Sequence, residues 1–276
     1  MSASPVVAAY RDLHQSGCFL LPNPWDAGSA RFLETLGFRA LATTSAGMAF
    51  SRALPDRVSA VPCAAMLGHV REMVEATSLP VNADFQNGYA DDPEGVARNV
   101  TWCVATGVAG LSIEDATGRA DAPLYDRALA VERIRAARAA IDASGSGVVL
   151  TARCEAWLVG APDPATTAID RLVAYAAAGA DCLYAPGVRD LDTIKAIVAA
   201  VAPKPVNLLV SSPFGGLTLE KAAALGVRRV SVGGALSRVA WGAFMRAARE
   251  LAAGSFEGLA GGASHAELEA LFGARP

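Results

Sequence analysis

The stretch VNADFQNGY (81–89) carries a short apolar run into a carboxylate, Asp84, with an amide, Asn82, two residues earlier. Alternate residues of a strand share a face, so Asn82 and Asp84 point the same way. A second run, GLSIED (110–115), ends on Glu114 and Asp115, and a third, GVVLTAR (147–153), ends on Arg153 with Glu155 close behind. Carboxylate oxygens are hard ligands of the kind Mg2+ takes in ones and twos, the rest of its shell being water and substrate; Mn2+ accepts the same donors. An arginine beside them offers a planar fork for a carboxylate or phosphate. Together these residues suit metal-assisted chemistry on a small anion. Two structural readings compete. Asp84 and Glu114 could cap the helices that follow them, and Arg153 could be a structural partner of Glu155 or Glu114.

Other chemistries lack residues. The three histidines, His14, His69 and His265, are far apart, which disfavours a histidine-rich zinc site or a Ser-His-Asp triad. Lysine occurs only at 195, 204 and 221. The five cysteines (18, 63, 103, 154 and 182) show no CxxC spacing, the pattern of free thiols in a reducing cytoplasm. A net charge of −3 favours neither nucleic acid nor an anionic membrane as partner. No apolar run reaches the roughly 18 residues of a membrane span, and the N-terminus does not read as a signal peptide.

The acids and the arginine need elements to bring them together. Eight apolar runs recur along the chain: 18–22, 40–44, 80–85, 110–115, 147–153, 182–187, 205–210 and 228–234. Amphipathic stretches such as DAGSARFLETLG and DRLVAYAAAGA lie between them, several closing at a glycine (Gly37, Gly107, Gly179, Gly226) that can take the left-handed helix-ending conformation. Strands buried on both faces also account for the 53% hydrophobic content. The pattern predicts an α/β fold, a (β/α)8 TIM-type barrel, in preference to a doubly wound sheet, because no GxGxxG follows the first run. Residues 1–276 read as one barrel domain, with 236–276 as a C-terminal helical extension containing HAELEALFG.

Barrel chemistry sits at the C-terminal strand ends. NPWD, TTSAG, Asp84, Glu114-Asp115 and the pair Arg153 and Glu155 are all expected there, facing one space. Asn82 would support Asp84 from one layer below. Asp26 reads first as a helix N-cap, Trp25 as packing or a site wall, Trp102, Trp157 and Trp241 as core or interface, and His69 as an ordinary helix residue. SSPFGG and SVGGALS resemble phosphate-binding loops, although tight turns explain their glycines equally well.

LPNPWDAGSARFLETLGFRALATTSAG, LPD, VNADFQNGY, GLSIED and TARCEAWL, in this order over residues 15–235, together resemble the isocitrate lyase/phosphoenolpyruvate mutase superfamily. The resemblance implies Mg2+, enolate chemistry on a small 2-oxo acid, and a homotetramer whose last helix is swapped between subunits. It implies that backbone N–H groups of Ser45, Ala46 and Gly47 hold a substrate carboxylate. Asp84 and Glu114 would serve the metal, Asp56 would do so through water, and Arg153 would grip the substrate's anionic group. Three departures mark a divergent, phosphonomutase-like member. Asn82 stands where many members have Asp. The loop ATGRADAPLYDRALA lacks the catalytic cysteine of the lyases and the lysine and asparagine of the mutase. Gly187 stands where those lyases carry Glu.

The expectation is a Mg2+-dependent lyase or decarboxylase of a small 2-oxo or 2-hydroxy di-acid, with Asp56 and Arg153 as catalytic residues and Trp25, Ser45, Ala46, Gly47 and Arg153 binding substrate. Decarboxylation of an oxaloacetate-like acid ranks above isocitrate-type cleavage because it needs no loop cysteine. A P–C bond mutase, steered by Arg153 with Arg119 as a weaker candidate, is the alternative. A non-catalytic binding barrel is the third, disfavoured by the joint presence of Asp56, Asp84, Glu114 and Arg153.

Overall fold

The computed structural model describes residues 4–273. Its elements run α1 (Pro5–Leu13), β1 (Phe19–Leu21), α2 (Ala27–Thr35), β2 (Leu41–Ala42), α3 (Ser45–Ser51), α4 (Cys63–Ala76), β3 (Val81–Asp84), α5 (Pro93–Val104), β4 (Gly110–Glu114) and α6 (Arg127–Ser144). They continue as β5 (Val149–Arg153), α7 (Pro164–Ala177), β6 (Cys182–Tyr184), α8 (Leu191–Val201), β7 (Val206–Leu209), α9 (Leu219–Ala224), β8 (Arg229–Ser231), α10 (Ala235–Ala252), a 3-10 turn (Glu257–Gly261) and α11 (His265–Gly273).

All eight strands are parallel and ordered β1-β8-β7-β6-β5-β4-β3-β2, the (β/α)8 barrel expected from the sequence. The seam between β1 and β2 is closed by short links. Ala42 N–H donates to Pro22 O at 3.0 Å, and Asn23 Nδ2 donates to Thr43 O at 2.9 Å. Asn23 Oδ1 also accepts from the N–H groups of Val232 and Gly233, at 2.9 and 2.8 Å, so one amide ties β1, β2 and the β8 loop.

Leu21, Leu41, Leu111, Leu150 and Leu183 are buried in the wall, each contributing roughly 1.5–3 kcal/mol of apolar transfer. The four helix-ending glycines take positive φ (77°, 92°, 103° and 84° at 37, 107, 179 and 226). Asp26 caps α2 in a reciprocal capping box with Ser29, as its sequence position suggests. Helix α1 lies ahead of the first predicted strand and was not expected. It seats Tyr10 and His14 beside the β8 residue Arg229 in the barrel interior.

Candidate active site

Inward-pointing residues at the C-terminal strand ends surround a cavity of about 150 Å3. It is lined by Asp56, Asn82, Asp84, Ser45, Ala46, Arg153, Tyr184, Asn207, Arg229 and Ser231, among others. Liquid water occupies about 30 Å3 per molecule, so a few waters or a small acid fit.

Arg153 organises the acidic side. Its Nη1 donates to Asp84 Oδ1 at 2.7 Å, its Nε to Glu155 Oε1 at 2.9 Å, and its Nη2 pairs with Glu114 Oε2 at 3.1 Å. The β-ladder explains the meeting: Glu114 is directly opposite Arg153, and Asp84 is opposite Ser112 on the same face. The guanidinium also sits 5.0 Å from the centre of the Tyr184 ring. Arg153 lies among these acids, its side chain only 12% exposed.

Ser45 joins the other two acids. Its N–H donates to Asp84 Oδ2 at 2.9 Å and its hydroxyl to Asp56 Oδ1 at 3.2 Å. This qualifies the expectation for Ser45, Ala46 and Gly47 as a carboxylate-holding trio. They open helix α3, and Gly47 N–H donates to its cap, Thr44 Oγ1, at 3.3 Å, so Ser45 and Gly47 have their N–H groups engaged within the protein.

Three acids, Asp84, Glu114 and Glu155, contact one guanidinium, and Asp56 joins them through Ser45. Burial, and then the Asp84 charge, raise the Asp56 carboxyl above its usual range. Glu114 is pushed well above the carboxylate range by burial, with Arg153 opposing and Glu155, Asp84 and Asp56 reinforcing. Glu155 is raised first by burial, which Arg153 counters. A surplus of carboxyl groups is a donor set that a hard dication fits, because a cation there offsets the burial and mutual repulsion that raise these carboxyls. Among the described residues, no three His, Cys, Asp or Glu side chains form a ready ligand cage.

The loop after β3 is held by residues the sequence did not single out. Gln86 and Tyr89 both take positive φ, 43° and 57°, which costs non-glycine residues energy and needs support. Asn99 Nδ2 donates to Gly88 O at 2.9 Å and Tyr89 O at 3.1 Å. Buried Arg133 donates to the carbonyls of Asn87, Ala90 and Asp91 and lies over the Tyr125 ring.

Several expected site residues face elsewhere. Asp115 points behind the wall, accepting from Tyr175 O–H at 2.6 Å, Arg171 Nη1 at 3.1 Å and Glu155 N–H at 2.8 Å. Trp25 lines apolar grooves beside α10 and not this cavity. Arg119 pairs with exposed Asp91 at 3.1 Å, away from the cavity lining. In the SVGG loop the N–H groups of Val232 and Gly233 go to Asn23, which leaves a phosphate cradle without those donors. Gly187 takes φ +94°, and a Cβ there would fall 2.7 Å from Trp157 Cβ, so Trp157 fills the space a longer side chain would need. Cys154 is fully buried, its thiol pushed up by burial, and does not serve as a mouth nucleophile.

The opposite wall is neutral except for one charge. Arg229 is 2% exposed and donates through Nε to Asn207 Oδ1 (2.8 Å), through Nη1 to Tyr10 OH (3.0 Å) and through Nη2 to Thr151 Oγ1 (3.1 Å). His14 Nδ1 lies 2.7 Å from Tyr10 O and must carry the proton, so Nε2 accepts from Arg229 at 3.3 Å. The ring is therefore neutral, its pKa lowered to about 3 by burial and then by the Arg229 charge.

Comparison with known proteins agrees with this geometry. Residues 10–252 match the family described as phosphoenolpyruvate phosphomutase. An oxaloacetate decarboxylase of Rhodopseudomonas palustris (strain BisB5) is 33% identical over 75% of this chain and 70% of its own. A lyase/mutase candidate from Burkholderia cenocepacia J2315 is 49% identical, covers 98% of this chain and 96% of its own, and superposes with a TM-score of 0.92. The solved 2,3-dimethylmalate lyase, at 26% identity, covers 96% of this chain and 94% of its own with a TM-score of 0.86.

Proposed function

Because the chain belongs to the phosphoenolpyruvate phosphomutase family, within the isocitrate lyase/phosphoenolpyruvate mutase superfamily, we propose that it is a Mg2+-dependent lyase that decarboxylates or cleaves a small 2-oxo di-acid of the oxaloacetate type. One observation carries this: Asp84, Glu114 and Glu155 crowd around Arg153 at the barrel mouth, and Ser45 links Asp56 to Asp84 beside them. A structural ion pair needs one acid, and the surplus suits a dication.

Asp84 and Glu114 would hold the ion, and Asp56 through water. Bound there, the ion supplies Lewis-acid stabilisation of charge developing on the 2-oxo oxygen as the carbon–carbon bond breaks. Ser45 keeps Asp84 and Asp56 in register. Arg153 draws the substrate's anionic group while its three ion pairs keep the acids in place. Leu21, Leu158 and Leu209 narrow the access of water. Tyr184, pushed up to about 12 by burial, keeps its O–H through the neutral range and lines the cavity as a donor. The relative described as an oxaloacetate decarboxylase, and a loop without Cys, His or Lys, favour this reading over isocitrate-type cleavage.

We read residues 1–276 as one domain, working in the cytoplasm, where its five free thiols are at home. No described helix is long and apolar enough to cross a membrane. Helix α10 leaves Val239, Trp241, Phe244 and Met245 exposed, which supports a homotetramer in which α10 packs on a neighbour.

The test is a panel of oxaloacetate, 2,3-dimethylmalate, 2-methylisocitrate and phosphonopyruvate, assayed with wild type and Asp84→Asn. Turnover of oxaloacetate by wild type, and its loss in the variant, is expected. Turnover of phosphonopyruvate alone would reassign the chain to P–C chemistry.

A further inference from the structure

Asp84 and Glu114 end strands, and Glu155 follows β5 directly. Asp56 differs: it lies on the stretch 55–60 between α3 and α4, outside any helix or strand, yet it lines the cavity. The flanking residues Leu54 and Val61 pack against the core, but residues 55–57 are exposed. Buried Gln86 holds this stretch. The Ser59 N–H can only donate, so the amide atom 3.1 Å from it is Gln86 Oε1. Nε2 therefore faces Arg57 O, 3.2 Å away, and donates to it. One side-chain amide thus engages an acceptor and a donor of the Asp56 stretch. The other end of Gln86 is tied to the strand-borne acids. It stands two residues beyond Asp84, and its backbone carbonyl accepts from Glu114 N–H at 2.9 Å. Its φ of +43° is a strain that glycine would avoid, so the contacts of its side chain must offset it. Gln86 is the point at which β3, β4 and the Asp56 stretch meet.

We propose that Gln86 is a positioning residue which, by clamping Arg57 O and Ser59 N–H, sets how far Asp56 stands from Asp84 and Glu114. The inference rests on the Mg2+ reading above and adds the device that registers Asp56 with the strand-borne acids. An acid that serves an ion through water tolerates little displacement, because an O–H···O bond is good only between about 2.5 and 3.0 Å. The amide suits the task by offering one donor and one acceptor in one plane. Glutamate would set an acceptor against Arg57 O, and methionine, close in length, offers no donor and only a weak acceptor. Gln86 acts through Asp56, touching neither ion nor substrate.

The experiment compares wild type, Gln86→Met, Asp56→Asn and the double variant, all as the full chain. Mg2+ binding is read by titration calorimetry, and hydrogen exchange is followed on the metal-free proteins. Gln86→Met should weaken Mg2+ about tenfold, the lower end for outer partners of a metal site. It should also speed exchange of the Ser59 amide while the β3 amides keep theirs. In the Asp56→Asn background the same substitution should change Mg2+ affinity by less than about twofold, because the charge that Gln86 positions is already gone. Gln86→Gly removes the clamp and relieves the backbone at once, and it carries the test if Gln86→Met does not fold. A residue that only forms the turn would be replaced by glycine without change in Mg2+ affinity, whereas the proposal predicts the same tenfold loss. Additive losses in the double variant, or wild-type Mg2+ affinity in a folded Gln86 variant, would overturn the proposal and leave the metal site standing. Wild type that binds no Mg2+ would remove the metal reading and the inference with it.

Discussion

Replacing Arg153 by lysine tests how the acidic side is held. The guanidinium serves three carboxylates at once, at 2.7, 2.9 and 3.1 Å. A lysine ammonium is a point charge on a flexible stem and cannot span Asp84, Glu114 and Glu155 in the same fork. Breaking a buried ion pair costs about 3–5 kcal/mol, and the retained positive charge places the change toward the lower end. In a chain of this size each kcal/mol lowers Tm by roughly 2–4 °C, so a fall of about 6–12 °C is expected. Turnover should suffer independently. Loss of one charge-assisted hydrogen bond, about 1.5–3 kcal/mol, lowers kcat/KM roughly ten- to two-hundred-fold. Thermal denaturation and steady-state kinetics on one preparation, assayed well below the lowered Tm, read both effects. A variant with wild-type Tm and wild-type kcat/KM would refute the reasoning. A lowered Tm with intact kcat/KM would leave Arg153 a structural role only.

Three further outcomes follow. His14 and His69 have pKa values lowered to about 3 and about 4, burial being the largest cause for both. A lowered histidine pKa gives stability that is complete above the unfolded value of about 6.5 and is lost as pH falls toward the folded value. Tm should therefore drop between about pH 6.5 and 4, and His14→Gln should flatten that slope; NMR titration of His14 near pH 6.5 would contradict it. Asn82, 3% exposed and lining the cavity with an Oδ1 that has no hydrogen-bond partner, should as Asn82→Asp bind Mg2+ more tightly in calorimetry and lower the metal-free Tm; weaker Mg2+ binding would remove Asn82 from the metal's surroundings. Light scattering at micromolar concentration should give four times the 28.3 kDa chain mass, and Trp241→Glu together with Phe244→Glu should break that assembly; a wild-type monomer would refute the tetramer.

Strands and their order were legible because each wall strand is an apolar run bounded by turn residues. β2 is only Leu41–Ala42, shorter than its run, because Thr44 already caps α3. Asp84, Glu114 and Arg153 were legible as strand-end charges, and their mutual contacts follow from the register. Asp115 could have been set aside on parity, since a residue next to inward Glu114 must face outward. Arg229 and Asn207 were not legible. A polar residue inside an apolar strand looks the same whether it faces the barrel interior or a helix, and the partners of Arg229, Tyr10 and Asn207, lie 219 and 22 residues away. Arg133 escaped notice for the same reason, clamping carbonyls more than 40 residues upstream.

The central claim is that the acids around Arg153 serve a divalent ion in carbon–carbon bond cleavage. The most direct test strips the protein with EDTA, removes the chelator, and follows oxaloacetate decarboxylation as Mg2+ is titrated back, with Asp84→Asn reporting the metal-catalysed background in solution. The account predicts that stripped protein shows no turnover above that background, and that Mg2+ or Mn2+ restores a saturable rate proportional to enzyme. Full turnover in the stripped protein would contradict it.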